Sequence, residues 1–304
     1  MKPNYIIISG HRGARGEIVE NSIEGFKHTF GLGIKAVELD VVVSKDNIPV
    51  LFHDFRLNVD TVKDSNGNWI ENRDLKIINL SYEELQTYNI ESLKPDSKYS
   101  NKLKKQQPVK GAKIPRLTDL LKLVIKEKNK DVFLNIEIKS TPIENGLTPD
   151  PKNLVALILK DIKEYNLEDR VLITSFDWRI LYELKKQNAN ILRGFITLQQ
   201  DLSITKKNIY ENSPWMGKKF SSENLFLLPD IIKNLEGHVW SVFYKDVTKQ
   251  NIEIAHKNGL AVAVWTVNKE SDIIRMIEYG VDRLITDYPK KVQEICVKKN
   301  ISCF

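Results

Sequence analysis

A chain of 304 residues with 41% hydrophobic and 28% charged content has the make-up of an ordinary globular protein, sized for one large domain or two small ones. Its net charge of +6 comes largely from scattered lysines such as Lys102, Lys104 and Lys105, which describe a solvated surface and argue against a nucleic-acid partner. The two cysteines, Cys296 and Cys303, sit in the C-terminal tail without metal-like spacing or a partner elsewhere, which excludes a disulfide framework and points to a reducing compartment.

The first predicted strand, Tyr5–Ser9, follows Lys2. Its apolar run Tyr5-Ile6-Ile7-Ile8 is shorter than the ~7–15 residues of a signal-peptide core. No apolar stretch approaches the ~20 residues that span a bilayer. The expected location is cytoplasmic, without stable membrane insertion, and nothing in the sequence sets an oligomeric state. Helix Ser22–Phe30 and strand Lys35–Val41 follow. Beyond a long gap come helix Leu117–Lys126, strand Val132–Ile138, helix Asn153–Tyr165, strand Val171–Thr174, helix Trp178–Lys186 and strand Ile191–Ile196. The pattern closes with strand His238–Phe243, helix Thr248–Lys257, strand Leu260–Thr266, helix Lys269–Glu278, strand Arg283–Thr286 and helix Pro289–Lys298.

Alternation of this kind predicts a parallel sheet, and about eight units predict a single (β/α)₈ TIM-barrel domain over residues 1–304. An open doubly wound sheet is the alternative, but Gly10, Gly13 and Gly16, with arginines and a histidine between them, are a weak match to a nucleotide loop. Two stretches break the rhythm. Phe55–Pro115, with turn signals at Ser65-Asn66-Gly67-Asn68 and a capping box at Ser81-Tyr82-Glu83-Glu84-Leu85, reads as a small subdomain inserted after the second strand and lining the pocket. Gln199–Asn224, carrying Pro214, Trp215 and Met216, reads as a substrate-facing loop, or else as a surface excursion.

Two strands carry charge where a buried strand stays apolar. Side chains alternate faces, so Glu38 and Asp40 point one way while Val37, Leu39 and Val41 point the other. The same alternation sets Asn135, Glu137 and Lys139 on one face, with Ile136 and Ile138 behind. Unpaired buried carboxylates are expensive, so Glu38, Asp40 and Glu137 converging on one pocket require a compensating charge. A hard divalent cation, Ca²⁺ or Mg²⁺, supplies it and prefers oxygen ligands.

Among five histidines, His28 and His256 lie inside amphipathic helices and read as surface residues, while His238 opens a strand. His11, in His11-Arg12-Gly13, follows the first strand directly; His53 ends the run Pro49-Val50-Leu51-Phe52-His53-Asp54. His11 thereby falls in the first βα loop at a barrel's catalytic end, and both histidines terminate strand-like runs beside other polar residues. Imidazole transfers protons near neutral pH, so the pair suits division into general base and general acid.

In chain order, His11-Arg12-Gly13, Glu20-Asn21-Ser22, Glu38-Leu39-Asp40-Val41, His53-Asp54, Glu137-Ile138-Lys139, Trp265-Thr266-Val267-Asn268 and Thr286-Asp287-Tyr288-Pro289 closely resemble the glycerophosphodiester phosphodiesterases. The resemblance runs from Ile6 to about Glu294; Val19 departs from it, standing where the family usually has proline. It implies a TIM barrel with a subdomain inserted after the second strand, and one Ca²⁺ or Mg²⁺ held by Glu38, Asp40 and Glu137. It also implies His11 and His53 as the catalytic pair, Arg12 as the phosphate-contacting arginine, and Lys139 and Trp265 as residues lining the site.

The residues add reasons of their own. Arg12 offers a planar donor fork suited to phosphoryl oxygens, and Lys139 a point charge for phosphate or for the metal carboxylates. Trp265 ends a barrel strand, ready to pack on the glycerol or alcohol moiety, with a place in the core as the plainer role. Glu20 and Asn21 precede a helix, either as loop and helix N-terminus with Ser22 or Asn21 as cap, or as support behind the site residues, with Glu20 orienting Arg12 or His11. Asp287-Tyr288-Pro289 opens the last helix and reads as mainly structural.

The expected activity is metal-dependent hydrolysis of a small-molecule glycerophosphodiester to sn-glycerol 3-phosphate and an alcohol. His11 is the expected base and His53 the acid; attack comes from the neighbouring glycerol hydroxyl through a cyclic phosphate, or directly from water. A phospholipase acting on intact lipid headgroups is one rival. It needs an apolar rim such as Trp215, Met216 and Phe220, which Lys218 and Lys219 dilute. A non-catalytic binding barrel is the other, opposed by the unbroken set of histidines and carboxylates.

Overall fold

Residues 5–202, 205–218, 220 and 227–304 are described by the computed structural model. Strand β1 (Tyr5–Gly10) leads into helix α1 (Ile23–Gly31), capped by Ser22, whose side chain accepts from the Gly25 amide at 2.9 Å. Strand β2 (Ala36–Val43) turns at Asp46-Asn47, with Asn47 at φ 61°, into the short antiparallel strand β3 (Pro49–Leu51). An excursion follows, holding the short helices α2 (Tyr82–Leu85) and α3 (Lys98–Lys102). The expected capping box is present, with Ser81 and Glu84 each bonding the other's backbone amide.

The alternation then resumes with α4 (Leu117–Val124), β4 (Phe133–Ile138), α5 (Pro151–Glu164), β5 (Val171–Ser175), α6 (Trp178–Gln187) and β6 (Leu192–Thr197). It continues with α7 (Leu228–Asn234), β7 (Val239–Phe243), α8 (Lys249–Lys257), β8 (Ala261–Trp265), α9 (Glu270–Tyr279), β9 (Arg283–Thr286), α10 (Pro289–Lys298) and the two-residue β10 (Ser302–Cys303). Strand β1 pairs in parallel with β9 and with β2, which closes eight parallel strands into a (β/α)₈ barrel.

The predicted strands and helices begin and end within two residues of these elements. Four elements are additional: β3 and β10 are too short to show alternation, α3 lies in the irregular excursion, and α7 is a seven-residue helix with proline in its first turn. Of the expected loop Gln199–Asn224, residues 203–204, 219 and 221–224, Lys219 among them, lie outside the described residues, as does Lys2. Both cysteines are free thiols, as expected. The turn after α10 brings Cys303 of β10 near Cys296, and burial together with that neighbour pushes the pKa of the Cys296 thiol up to about 12.

Packing divides the strands' faces as alternation requires. Val37, Leu39, Val41, Leu134, Ile136 and Ile138 join Phe26, Leu120, Leu121 and Ile158 of the helices in one buried apolar cluster. Glu38, Asp40, Asn135 and Glu137 lie on the opposite face, inside the barrel. The excursion has its own buried cluster, in which Leu57, Val62, Ile77, Leu85 and Ile114 pack against Val42, Val50 and Phe52 from the β2–β3 hairpin. No described helix is long and apolar enough to cross a membrane.

Candidate active site

Register assembles the acidic cluster. Strands β2 and β4 pair so that Glu38 lies beside Asn135 and Asp40 beside Glu137. Carboxylate oxygens of Glu38, Asp40 and Glu137 thereby come within 4.8 Å of one another. Asn135 is turned away from charge work, accepting from the Thr174 hydroxyl at 2.9 Å.

The β1–α1 loop brings the next residues. A Cβ on Gly10 would lie 1.8 Å from the Gly13 carbonyl oxygen, so the loop's tight return demands glycine there. Arg12 inside that return has φ 52°, a left-handed conformation that costs about 1 kcal/mol or more for a non-glycine residue. The conformation turns its amide to donate to Glu38 Oε2 at 3.0 Å. Its guanidinium Nη1 donates to Glu20 Oε1 at 2.9 Å and to Tyr99 Oη at 3.0 Å, and Nε lies 3.1 Å from Asp40 Oδ2. Asn21, also left-handed at φ 49°, donates its backbone amide to the Arg12 carbonyl and its Nδ2 to Asp40 Oδ2 at 3.0 Å. Glu20 thus bears on Arg12 rather than on His11, and Asn21 on Asp40. Lys139 Nζ lies 2.6 Å from Glu137 Oε1 and 3.5 Å from Asp40 Oδ1.

These contacts leave the cluster short of positive charge. Arg12 and Lys139 face three carboxylates, and Arg12 is shared with Glu20. Burial, with Asp40 and Glu137 alongside, pushes the Glu38 carboxyl well above its ordinary range. Against the same burial, Arg12, His53 and Lys139 hold Asp40 well below its range. Desolving a carboxylate costs several kcal/mol unless a partner compensates, so an all-oxygen donor set with negative excess fits a hard dication.

The two histidines are clamped alike and surrounded differently. His11 Nδ1 lies 2.6 Å from Asp287 Oδ1, and its Nε2 lies 3.8 Å from Glu38 Oε2. Asp287 also receives Arg15 Nε at 2.7 Å and Asn268 Nδ2 at 2.7 Å, and is 1% exposed. Burial and the charge of Arg15 bring His11 down to about 4, against the pull of Asp287. His53 follows β3, where the Phe52 amide bonds the Asp40 carbonyl. Its Nδ1 lies 2.6 Å from Asp54 Oδ1, and the other Asp54 oxygen receives the neutral Asn58 amide at 2.8 Å. His28 and His256 pair instead with Glu17 and Asp282, outside this cluster.

Across the mouth, Trp265 packs edge-on to Phe176 at 5.4 Å and tilted to Phe243 at 5.4 Å, while Lys139 lies 5.8 Å over the Phe176 ring. Two of the three residues expected to form the apolar rim of a lipid-acting enzyme are drawn into the barrel's apolar packing, while Trp215 is half-buried. Met216 is fully buried, and Phe220 packs on Trp178 in the barrel's apolar cluster.

Sequence reasoning missed Asp287, which is more than a helix-opening residue because it holds His11. Its position immediately after β9, as His11 stands after β1, was the available signal. Arg15, Asn268, Phe176 and Tyr99 were also passed over, and Tyr99 lies in the irregular excursion, where no pattern marks it.

A family model for the glycerophosphoryl diester phosphodiesterase family matches residues 11–291. The chain belongs to this family. Among its relatives, the glycerophosphodiester phosphodiesterase of Caldanaerobacter subterraneus subsp. tengcongensis is 28% identical over 93% of this chain and 95% of its own. A mouse lysophospholipase D is 27% identical over 93% of this chain and 84% of its own. The crystal structure of a candidate glycerophosphoryl diester phosphodiesterase from Silicibacter pomeroyi superposes with a TM-score of 0.87 at 30% identity, covering 99% of this chain and 96% of that one. An Oleispira antarctica phosphodiesterase, solved with its product sn-glycerol 3-phosphate, shares the fold at a TM-score of 0.69 and 22% identity, over 95% of this chain and 96% of that one.

Proposed function

We propose that this chain hydrolyses glycerophosphodiesters to sn-glycerol 3-phosphate and an alcohol, with His11 as general base and His53 as general acid. The observation that carries the assignment is the pair of carboxylate-clamped imidazoles, His11 on Asp287 and His53 on Asp54, flanking the cluster of Glu38, Asp40 and Glu137. Those three carboxylates would hold one divalent cation, Ca²⁺ or Mg²⁺, which when bound lowers the pKa of a glycerol hydroxyl and offsets phosphate charge.

With Nδ1–H donated to Asp287, neutral His11 has an open Nε2 on the side of Glu38, and it takes the proton of the glycerol hydroxyl beside the phosphate. Asp287 is already paired with Arg15, so it lends His11 little reason to arrive protonated. Asp54 receives the neutral Asn58 amide where Asp287 receives a guanidinium, and it orients His53, which protonates the departing alcohol. Attack by the deprotonated hydroxyl forms a cyclic phosphate that water then opens. Arg12 and Lys139 bind phosphoryl oxygens, and Trp265 covers the carbon face of the glycerol. Residues 55–115 act as an inserted subdomain walling the mouth, supported by their separate apolar cluster and by the ion pair of Arg56 with Glu144 in the β4–α5 loop.

Release of glycerol 3-phosphate, followed with a coupled assay across diesters of choline, ethanolamine, inositol, serine and glycerol, tests the activity. At least one soluble diester should turn over with metal present, and phosphatidylcholine vesicles should not. Faster release from vesicles than from every soluble diester would favour lipid cleavage instead. Asp287→Asn should lower kcat by about 10²-fold or more, because an amide in that place can reverse the imidazole tautomer. Unchanged kcat in that variant would free His11 from dependence on Asp287.

A further inference from the structure

We propose that Tyr99, carried by α3 of the inserted stretch, is a positioning residue that aims Arg12, so that phosphate binding depends on how that stretch is seated. This rests on Arg12 contacting phosphate as described above. A phenol offers one donor and two acceptor sites. Tyr99 uses all of them: it donates to Glu20 Oε2 at 2.8 Å and accepts from Arg12 Nη1 at 3.0 Å and Arg15 Nη1 at 3.4 Å. The Arg15 guanidinium also lies 5.9 Å over its ring. One hydroxyl therefore joins the two buried arginines, of which Arg12 reaches Asp40 and Arg15 reaches the Asp287 that holds His11.

The seat is firm. Ser97 caps α3 by accepting from the Ser100 amide at 3.0 Å, fixing Tyr99 in the first turn. Gln106 donates to the Arg15 carbonyl at 2.7 Å, and the Gln107 amide to the Glu17 carbonyl at 2.9 Å, tying the stretch to the β1–α1 loop. Burial and the adjacent Glu20 push the phenol above its ordinary range, so it remains a donor throughout the working pH range. Without the hydroxyl, Arg12 loses an acceptor on the Glu20 side while Asp40 still draws Nε from the other, and the guanidinium tips toward the acidic cluster.

A tyrosine that merely anchors the stretch would do so through its ring, and phenylalanine would replace it. Tyr99→Phe should instead raise the KM for a glycerophosphodiester, and the dissociation constant of inorganic phosphate with metal present, by about tenfold, the scale of one hydrogen bond to a charged group. Its kcat should stay near wild type. In an Arg12→Ala background the same change should add nothing to kcat/KM. Unaltered phosphate binding in Tyr99→Phe, or a loss that adds fully to that of Arg12→Ala, would overturn the positioning role while leaving Arg12 as the phosphate ligand. If Arg12→Ala itself binds phosphate as wild type does, the assignment of Arg12 fails, and the role of Tyr99 with it.

Discussion

His11→Ala and His53→Ala should each lower kcat by about 10²–10⁴-fold, the usual scale for losing a general acid or base. Neither change should unfold the protein. Removing His11 leaves Asp287 bonded to Arg15 at 2.7 Å and Asn268 at 2.7 Å, so no buried carboxylate is orphaned. Removing His53 leaves Asp54, about a third exposed, with Asn58 and solvent. Unchanged Tm beside collapsed kcat is therefore the expected signature. His256→Ala is the control: its partner Asp282 keeps a bond from the Val262 amide at 2.6 Å, away from the acidic cluster, and turnover should stay at wild type. Wild-type turnover in both His11→Ala and His53→Ala, with metal present, would remove the pair from the chemistry.

What the sequence made legible follows from local rules. Period-two alternation was enough to set Glu38 and Asp40 on one face and Glu137 with Lys139 on another, because a strand's side chains cannot do otherwise. It does not give register; only the pairing of Asp40 with Glu137 makes one cluster of two faces. The partner of His11 was beyond local reading, since Asp287 lies 276 positions away and is brought back by closure of β9 onto β1. Tyr99 was hidden for another reason. Its excursion has short helices and isolated bridges in place of a periodic pattern, so nothing distinguishes a buried phenol there from a surface one. Elements of two to seven residues, β10, β3 and α7, carry too few positions for any period to show.

Thorough removal of divalent metal should abolish turnover, and adding Mg²⁺ or Ca²⁺ should restore it. The expectation comes from the charge imbalance around Glu38, Asp40 and Glu137, which Arg12 and Lys139 do not neutralise. A dication that binds the folded chain and not the unfolded one must also stabilise it, by about 2.7 kcal/mol at a hundred times its Kd. Metal should therefore raise Tm in a concentration-dependent way, a readout independent of catalysis. Glu137→Gln removes one ligand charge yet keeps the side chain's shape. It should raise the metal concentration needed for both the Tm shift and half-maximal rate, and Lys139 keeps Asp40 at 3.5 Å as a partner. Asp40→Asn should be the more damaging change, because Arg12, Lys139 and Asn21 all converge on that carboxylate. Its loss would release the cations as well as a ligand, and should leave no metal-dependent rise in Tm. Full activity in metal-stripped protein, together with a Tm indifferent to Mg²⁺ and Ca²⁺, would mean that the acidic cluster is held by Arg12 and Lys139 alone, and that a proton on Glu38 supplies the missing charge.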